Sequence, residues 1–482
     1  MNQPTDSAAA NRAVPAADPI PEISAAEAET NLSAPERAFL DKLRLTAREG
    51  RPVPLLHLLQ VKRALKAAYP LEEAFARYRA LLELGPNVTL RRQRVESFSA
   101  LSRRHAETVH VLHEGGEHVV LNPSPILGAS AARVIEGPTR RVEVAAFRNA
   151  AAFARTSTIR LRNGTFIFDV QDGELDRMPV DSAFDPAVFH RDGETVFALD
   201  DRRRMNALTI PEAISLLGID TVSFGHWMAE EFLKFLSIRS TVGIAGIPVL
   251  IDANMPRQHK QSIAAFLPAN HPLIEVPRNM RVEAGRLWVA TNWFYSPKIL
   301  TTDVGIDANA LVMPTKPIAD ILRAAFDELE AKVGLGRAAE GSGEGRRLFI
   351  ARDAERHRAI TNHEATAATL ARHGYVETRP EALSFVEQFQ LYRRADRIVA
   401  QTGSATNGVA MCRPGTRVCL LSHPAMPLQA LWAQPLADIG LHVVALVGDF
   451  AAVDKVYEDK STYRIDGTAL DQLLTSELEM PA

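Results

Sequence analysis

From about residue 205 onward the chain alternates amphipathic stretches with short β-type runs, in two blocks, and that alternation restricts the fold more than any other feature. The first block reads "FGHWMAEEFLKFLSI", "GIPVLID", "HKQSIAAFLP", "LIEV" and "RLWVATNWFY". The second reads "RRLFIAR", a helix expected at 362–373, "YVET", a helix expected at 383–394, then "RIVAQ", "TRVCLLS" and "HVVALVG". A helix expected at 316–333 and a polar, Gly-rich stretch at 334–345 join them. Strands separated by helices pair in parallel, so the pattern predicts an α/β fold with two Rossmann-like layers, 205–333 and 346–460, facing each other. Ligands in such sheets bind beyond the C-terminal ends of the strands, which makes the cleft between the layers the expected site.

The remaining chain is of other kinds. Residues 1–34 are rich in Ala, Pro, Ser and Glu without periodicity and read as a disordered leader. Residues 35–92 carry helical spacing broken near Gly50-Arg51-Pro52 and Pro70, which fits two or three helices. Residues 93–204 are short β-type runs, and Asn163-Gly164 inside "IRLRNGTFIF" is a hairpin signal. A chain of 482 residues exceeds what one core normally serves, which supports two packed domains with extras.

A formal net charge of −3 argues against a nucleic-acid partner, whose binding face would be strongly basic. No basic-then-apolar leader and no run of about 20 apolar residues occurs, so the expectation is a cytoplasmic protein without a transmembrane segment, with peripheral membrane association left open. Cys412 and Cys419 have no nearby Cys or His set to complete a zinc site and read as buried apolar residues. Asp200-Asp201 precedes three arginines and reads as a surface turn, so no metal site is expected.

Two segments carry chemistry. "QTGSATNG", residues 401–408, follows the β-type run "RIVA" and is built from small residues. It reads either as a tight strand-to-helix turn or as an anion cradle, in which Gly403, Ser404, Thr406 and Asn407 offer backbone N–H groups at a helix start. Upstream, Arg352 and Arg358 follow the strand "RLFIA", and Asn362 stands where it could cap the next helix. Arginine suits bidentate recognition of phosphate oxygens, so the pair reads either as a diphosphate clamp or as solvated surface charge.

Taken in order, Arg352, Arg358, Asn362, Gly374, Tyr375, Glu381, Phe385, Gln388, Ala395, Gly403, Asn407, Pro414 and Gly415 resemble glycosyltransferase family 61, whose bacterial members are often described as capsular polysaccharide biosynthesis proteins. "FGHWMAEEF" is similar to the family's His-Trp element. The resemblance spans about 205–450 and is strongest over 347–420. It implies a GT-B arrangement, a nucleotide-sugar donor, inversion, and no bound metal or other cofactor. It also implies that Arg352, Arg358, Asn362, Glu381, Gln388, Thr402, Gly403, Ser404 and Asn407 bind the donor. Thr402 departs from the pattern, because the family commonly has His before the glycine of the loop, and Thr cannot serve as a cation or a base near neutral pH.

His226 and Glu230 stand four apart and share one helix face, as a general base and its orienter would, with two metal ligands as the weaker alternative. The alternative for His226 is a structural hydrogen bond at a helix start. Glu231 and Glu381 are second choices for the base, and Glu381 also reads as an early residue of the helix led by Leu383. Phe224, Trp227, Met228, Phe232 and Phe235 take core spacing. Trp293, Phe294 and Tyr295 in "NWFYS" would belong either to the core or to an acceptor-sugar wall. The expected activity is transfer of a hexosyl or pentosyl group from a nucleotide-diphosphate donor to a saccharide acceptor, in polysaccharide or glycan biosynthesis, by a possible homodimer. The competing expectation, motivated by Thr402, is a non-catalytic nucleotide- or glycan-binding scaffold.

Overall fold

The computed structural model describes residues 32–49, 55–84, 89–96, 98–122, 125–127, 134–156, 158–168, 188–192, 195–200, 206–219, 221–277, 280–293, 308–335, 346–352, 358–424, 430–453 and 461–476. The expected leader, the aromatics Phe294 and Tyr295, most of the linker at 334–345 and Asp201 lie outside these residues. The chain divides into two compact units, residues 1–90 and 91–482.

The first unit is helical. Helices α1 (Ala34–Arg48), α2 (Leu55–Ala68) and α3 (Leu71–Leu84) bury Leu40, Leu43, Leu65, Phe75 and Leu81 among themselves. Phe39 stacks on Tyr78 with ring centroids 6.3 Å apart, and the Arg77 guanidinium lies 4.1 Å from the Tyr69 ring centroid.

The second unit holds two large sheets. In the first, strands β2 (Asn206–Ser215), β3 (Val249–Asp252), β4 (Leu273–Val276) and β5 (Met280–Ala290) run parallel in the order β4-β3-β2-β5. The chain reverses its winding direction between β2 and β5. Beside β5 lies the long antiparallel strand β1 (Val142–Phe153), in register from Arg281 opposite Phe153 to Ala290 opposite Val144. Most strands of the β-rich stretch therefore join the first α/β block in one eleven-stranded sheet, while His118–Leu121 and Ile135–Pro138 pair with each other apart from it. The expected hairpin is present at its turn, where Arg160 pairs with Phe166 and the Gly164 N–H bonds Leu161 O at 2.9 Å.

The second sheet is parallel throughout: β6 (Arg346–Ile350), β7 (Val376–Thr378), β8 (Ala395–Gln401), β9 (Arg417–Ser422) and β10 (His442–Val447) lie in the order β7-β6-β8-β9-β10. All of these runs but the edge strand β7 are apolar and buried over their C-terminal halves with little alternation, as strands covered on both faces are. The two-residue strand Ile126–Leu127, far upstream, closes the β10 edge, with Leu127 opposite Leu446. Here the winding reverses between β6 and β8.

Between the sheets, helices α4 (Phe224–His226), α5 (Phe232–Val242), α6 (Arg257–Ala264), α7 (Thr315–Lys332) and, after α8 (His363–Arg372), α9 (Phe385–Arg393) share one core. Ring centroids are 6.2 Å apart for Phe232 and Phe385, 6.3 Å for Phe232 and Phe326, and 5.9 Å for Phe326 and Phe389. The two layers thus do not face each other across an empty gap along this seam. The seam is filled, and what stays accessible is the set of loops at the strand ends. Cys412 and Cys419 are free and fully buried, as read; burial pushes both thiols up, Cys419 to about 12. Among the described residues no helix is long and apolar enough to cross a membrane.

Candidate active site

A parallel sheet has a crevice where its winding direction reverses, because the loops from the two central strands leave to opposite faces. In the second sheet that crevice lies beyond β6 and β8. Arg352 follows β6 by two residues, and Thr402-Gly403 follows β8 directly. The Arg352 guanidinium donates from Nη1 to Thr402 O at 3.0 Å. It lies so close to Gly403 that a Cβ there would sit 1.8 Å from Nη1 and 2.6 Å from Cζ. Gly403 has extended backbone (φ 162°), so the residue is required by the arginine and not by its own conformation.

Arg358 sits in the left-handed region (φ 63°), and both Arg352 and Arg358 favour the anion of the Tyr463 hydroxyl. Burial outweighs them and raises that pKa. The backbones of the pair expected to clamp an anion are both bonded to the end of β8, where the Gln401 carboxamide accepts from Arg352 N at 3.2 Å and donates to Arg358 O at 2.9 Å, and both side chains are half-buried beside a half-buried loop of small residues.

Beyond Gly403 the loop winds into a 3-10 helix, Ser404–Met411, where an α-helix was expected. Gly408 and Asn407 are poor α-formers, and the tighter turn is reinforced locally. The Thr406 hydroxyl donates to Gly403 O, Asn407 Nδ2 donates to Ser404 O at 3.2 Å, and Tyr392 OH donates to Ala405 O at 3.1 Å. The Thr402 hydroxyl bonds within the sheet, donating to Leu421 O at 3.1 Å and accepting from His423 N at 3.3 Å.

The first sheet's crevice lies beyond β2 and β5, and α4 starts at Phe224, shortly after β2 ends at Ser215. Gly225 touches the loop from the second sheet: a Cβ on Gly225 would lie 3.1 Å from Asn407 Nδ2 and 3.5 Å from Ser404 Oγ. The two predicted segments, "FGHW" and "TGSATNG", thus meet. His226 follows, with Nδ1 3.1 Å from Glu230 Oε1 and both side chains largely buried. Trp227–Glu231 forms a π turn inside the helix, a distortion common at functional sites. Trp227 is fully buried, donates from Nε1 to Ser262 Oγ at 2.9 Å, and stacks on His259 at 5.5 Å between centroids. His259 is itself buried, bonds Thr221 O through Nδ1 at 2.8 Å, and is pushed down to about 4 by desolvation.

Other expected residues are placed differently. Asn362 occupies the N-cap position of α8 but makes no side-chain cap; its amide donates to Ile465 O at 2.8 Å and accepts from Ile465 N at 3.0 Å, tying down the strand end that carries Tyr463. Glu381 does not open the helix led by Leu383. It is exposed in a separate 3-10 turn, Pro380–Ala382, and Ser384 caps α9 in a capping box with Glu387, because Ser384 has the free hydroxyl and Glu387 the three-residue spacing that the box requires. Gln388 is buried and braces this turn, donating to Leu383 O at 3.2 Å. Gln258 donates to Glu381 O at 2.8 Å and Gln261 accepts from Phe385 N at 3.0 Å, so α6 of the first layer holds the same turn. Glu231 is buried against Gly218 with Lys234 Nζ 3.2 Å from its Oε1. Trp293 belongs to the core, donating to Ser237 Oγ at 2.7 Å. Among the described residues no group of three or more His, Cys, Asp or Glu is placed to hold a metal ion.

One residue of this site was missed. Gln401, the last of β8, is 1% exposed; its Oε1 accepts from Arg352 N at 3.2 Å and its Nε2 donates to Arg358 O at 2.9 Å. The available signal was a lone amide at the end of a buried parallel strand, where a polar group must find partners.

No curated protein matches the chain. Residues 224–419 match the family model for Glycosyltransferase 61. That span starts at the first residue of α4 and includes His226, Arg352 and Arg358 as well as the 402–411 loop. The two strand-end elements that meet at Gly225 are thus both inside the matched region, and over residues 224–419 the chain is similar to glycosyltransferase family 61.

Proposed function

We propose that the chain transfers a hexosyl or pentosyl group from a nucleotide-diphosphate sugar to a saccharide hydroxyl with inversion, in a GT-B-type arrangement, as a step in polysaccharide or glycan assembly. The observation that supports this reading is the placement of Arg352 and the small-residue loop at the second sheet's winding reversal, in contact with the His226 helix. The donor diphosphate lies against Arg352, Arg358 and the backbone N–H groups of Gly403 and Ser404, where positive charge stabilises the departing anion. His226, held through Nδ1 by Glu230, takes the acceptor hydroxyl proton at Nε2. The acceptor oxygen bonds to the anomeric carbon as the bond from that carbon to the diphosphate oxygen breaks on the opposite face. Charge neutralisation is assigned to the arginines, with no metal invoked, and the reaction is placed in the cytoplasm, where nucleotide sugars are made.

The test is a thermal-shift panel of nucleoside diphosphates, followed by calorimetry of the best binder with Arg352→Ala and Arg358→Ala. A ligand that binds only the folded state raises the melting midpoint. Loss of affinity in both variants with the fold retained supports the reading; undiminished affinity in both overturns it. Binding without turnover across a panel of acceptors would favour the scaffold reading, for which the departure at Thr402 is the motive.

A further inference from the structure

Resting on the donor site just proposed, we infer that Gln401 is a positioning residue that sets the geometry of the arginine pair. Arg352 and Arg358 stand six positions apart, 358 minus 352, and nothing in that spacing brings their backbones to one strand end. Gln401 supplies the constraint. One carboxamide accepts from the backbone N–H of Arg352 and donates to the backbone carbonyl of Arg358, at 3.2 Å and 2.9 Å. It therefore fixes both ends of the 352–358 segment against β8, which also carries Gly403 two residues later.

The chemistry of the residue matters. Only a primary amide presents an acceptor and a donor about 2 Å apart on one rigid plane, as the two backbone groups require. Glu could accept from Arg352 but would set a carboxylate against the Arg358 carbonyl. Met could fill the volume but would satisfy neither group. Asn would offer the right plane one methylene short. Arg358 also holds a left-handed backbone conformation that a non-glycine residue adopts at a cost, and the Gln401 bond to its carbonyl helps retain it. The amide touches neither reacting atoms nor donor, so its effect reaches the donor only through the two arginines.

The experiment compares wild type, Gln401→Met, Arg352→Ala and Thr416→Val, using the nucleoside diphosphate that most stabilises the wild type. Thr416→Val is the control: it removes a buried hydroxyl bonded to Ala395 O at 3.2 Å and Arg413 O at 2.8 Å, at the opposite end of β8 from Gln401 and away from both arginines. Calorimetry should show Gln401→Met weakening binding by about tenfold or more, or about 1.4 kcal/mol, with the binding stoichiometry of the folded protein unchanged. Thr416→Val should stay within about twofold despite a lower melting midpoint. With turnover in hand, the donor KM of Gln401→Met should rise while the acceptor KM holds. If Gln401→Met does not fold, Gln401→Asn serves as the same test. Wild-type affinity in the folded variant alongside lost affinity in Arg352→Ala would overturn the role of Gln401 and leave the donor site standing. Wild-type affinity in Arg352→Ala would overturn the donor site itself.

Discussion

Gly225 faces Asn407 across the two layers, so closely that a methyl group on Gly225 would come to 3.1 Å from Asn407 Nδ2. This approach brings the His226 helix against the loop that follows β8. Gly225→Val adds branched volume where the neighbours are Ser404 and Asn407, so the helix start and the loop must separate. We expect a destabilisation of about 1–3 kcal/mol, as for other overpacked sites, together with a loss of transfer activity larger than the loss of donor binding. Chemical denaturation and steady-state kinetics on the same preparation check both.

Gly403→Ala isolates Arg352. The backbone at Gly403 is extended and accepts alanine, but the new Cβ would occupy the position of the guanidinium. Donor affinity should fall about as far as in Arg352→Ala, and the double variant should be no worse than Arg352→Ala alone. Full additivity in this cycle would mean that Gly403 acts on something other than the arginine, since independent sites add to within about 0.5 kcal/mol.

His226→Gln should lower kcat by about 10²–10⁴-fold, the usual contribution of a positioned base, with donor affinity unchanged. Glu230→Gln keeps an oxygen beside Nδ1, 3.1 Å away in the wild type, but removes the charge, so a smaller loss of kcat is expected. Unaltered turnover in His226→Gln would remove it from the mechanism.

His259 gives a stability signature. Its folded pKa is pushed down to about 4 from an ordinary 6.5, so the unfolded chain binds a proton that the folded chain refuses. Its contribution is complete above pH 6.5 and is lost as pH falls towards 4, with a slope of about 1.4 kcal/mol per pH unit in between. His259→Phe keeps a ring on Trp227 and gives up the bond to Thr221 O, which costs about 1–2 kcal/mol at pH 7.5. Denaturation at pH 7.5 and pH 5 should show the gap between wild type and variant narrowing at the lower pH. A constant gap would contradict the burial of a neutral imidazole.

Local pattern carried much of this structure. The buried runs "RLFI", "RIVAQ", "RVCLLS" and "HVVALV" are the strands of the second sheet, and Trp227, Met228, Phe232 and Phe235 are core at the spacing read for them. Arg352 and Gly403 were legible as partners only in outline: residue type suggested an anion site, and their contact depends on β6 and β8 lying side by side. What local pattern could not carry is partner identity. Asn362 had the right type and place to cap α8, but the backbone of Ile465, 103 residues away, takes its amide. His259 sits in the polar run "RQHKQ", and its burial follows from Trp227 folding over it. Gln401 was quoted as the start of a loop, and its role depends on two backbone groups that sequence distance separates from it.

The pairing of Leu127 with Leu446, and of β1 with β5, has a further implication. The stretch that carries the family match begins after β2 and stops within β9, so it omits strands that complete both sheets. Cut out at those limits, it would leave one sheet without β1 and β2 and the other without β10, exposing edges that invite aggregation. The matched region is therefore not a transplantable cassette: moved into another chain, it would need flanks from both directions to complete its sheets.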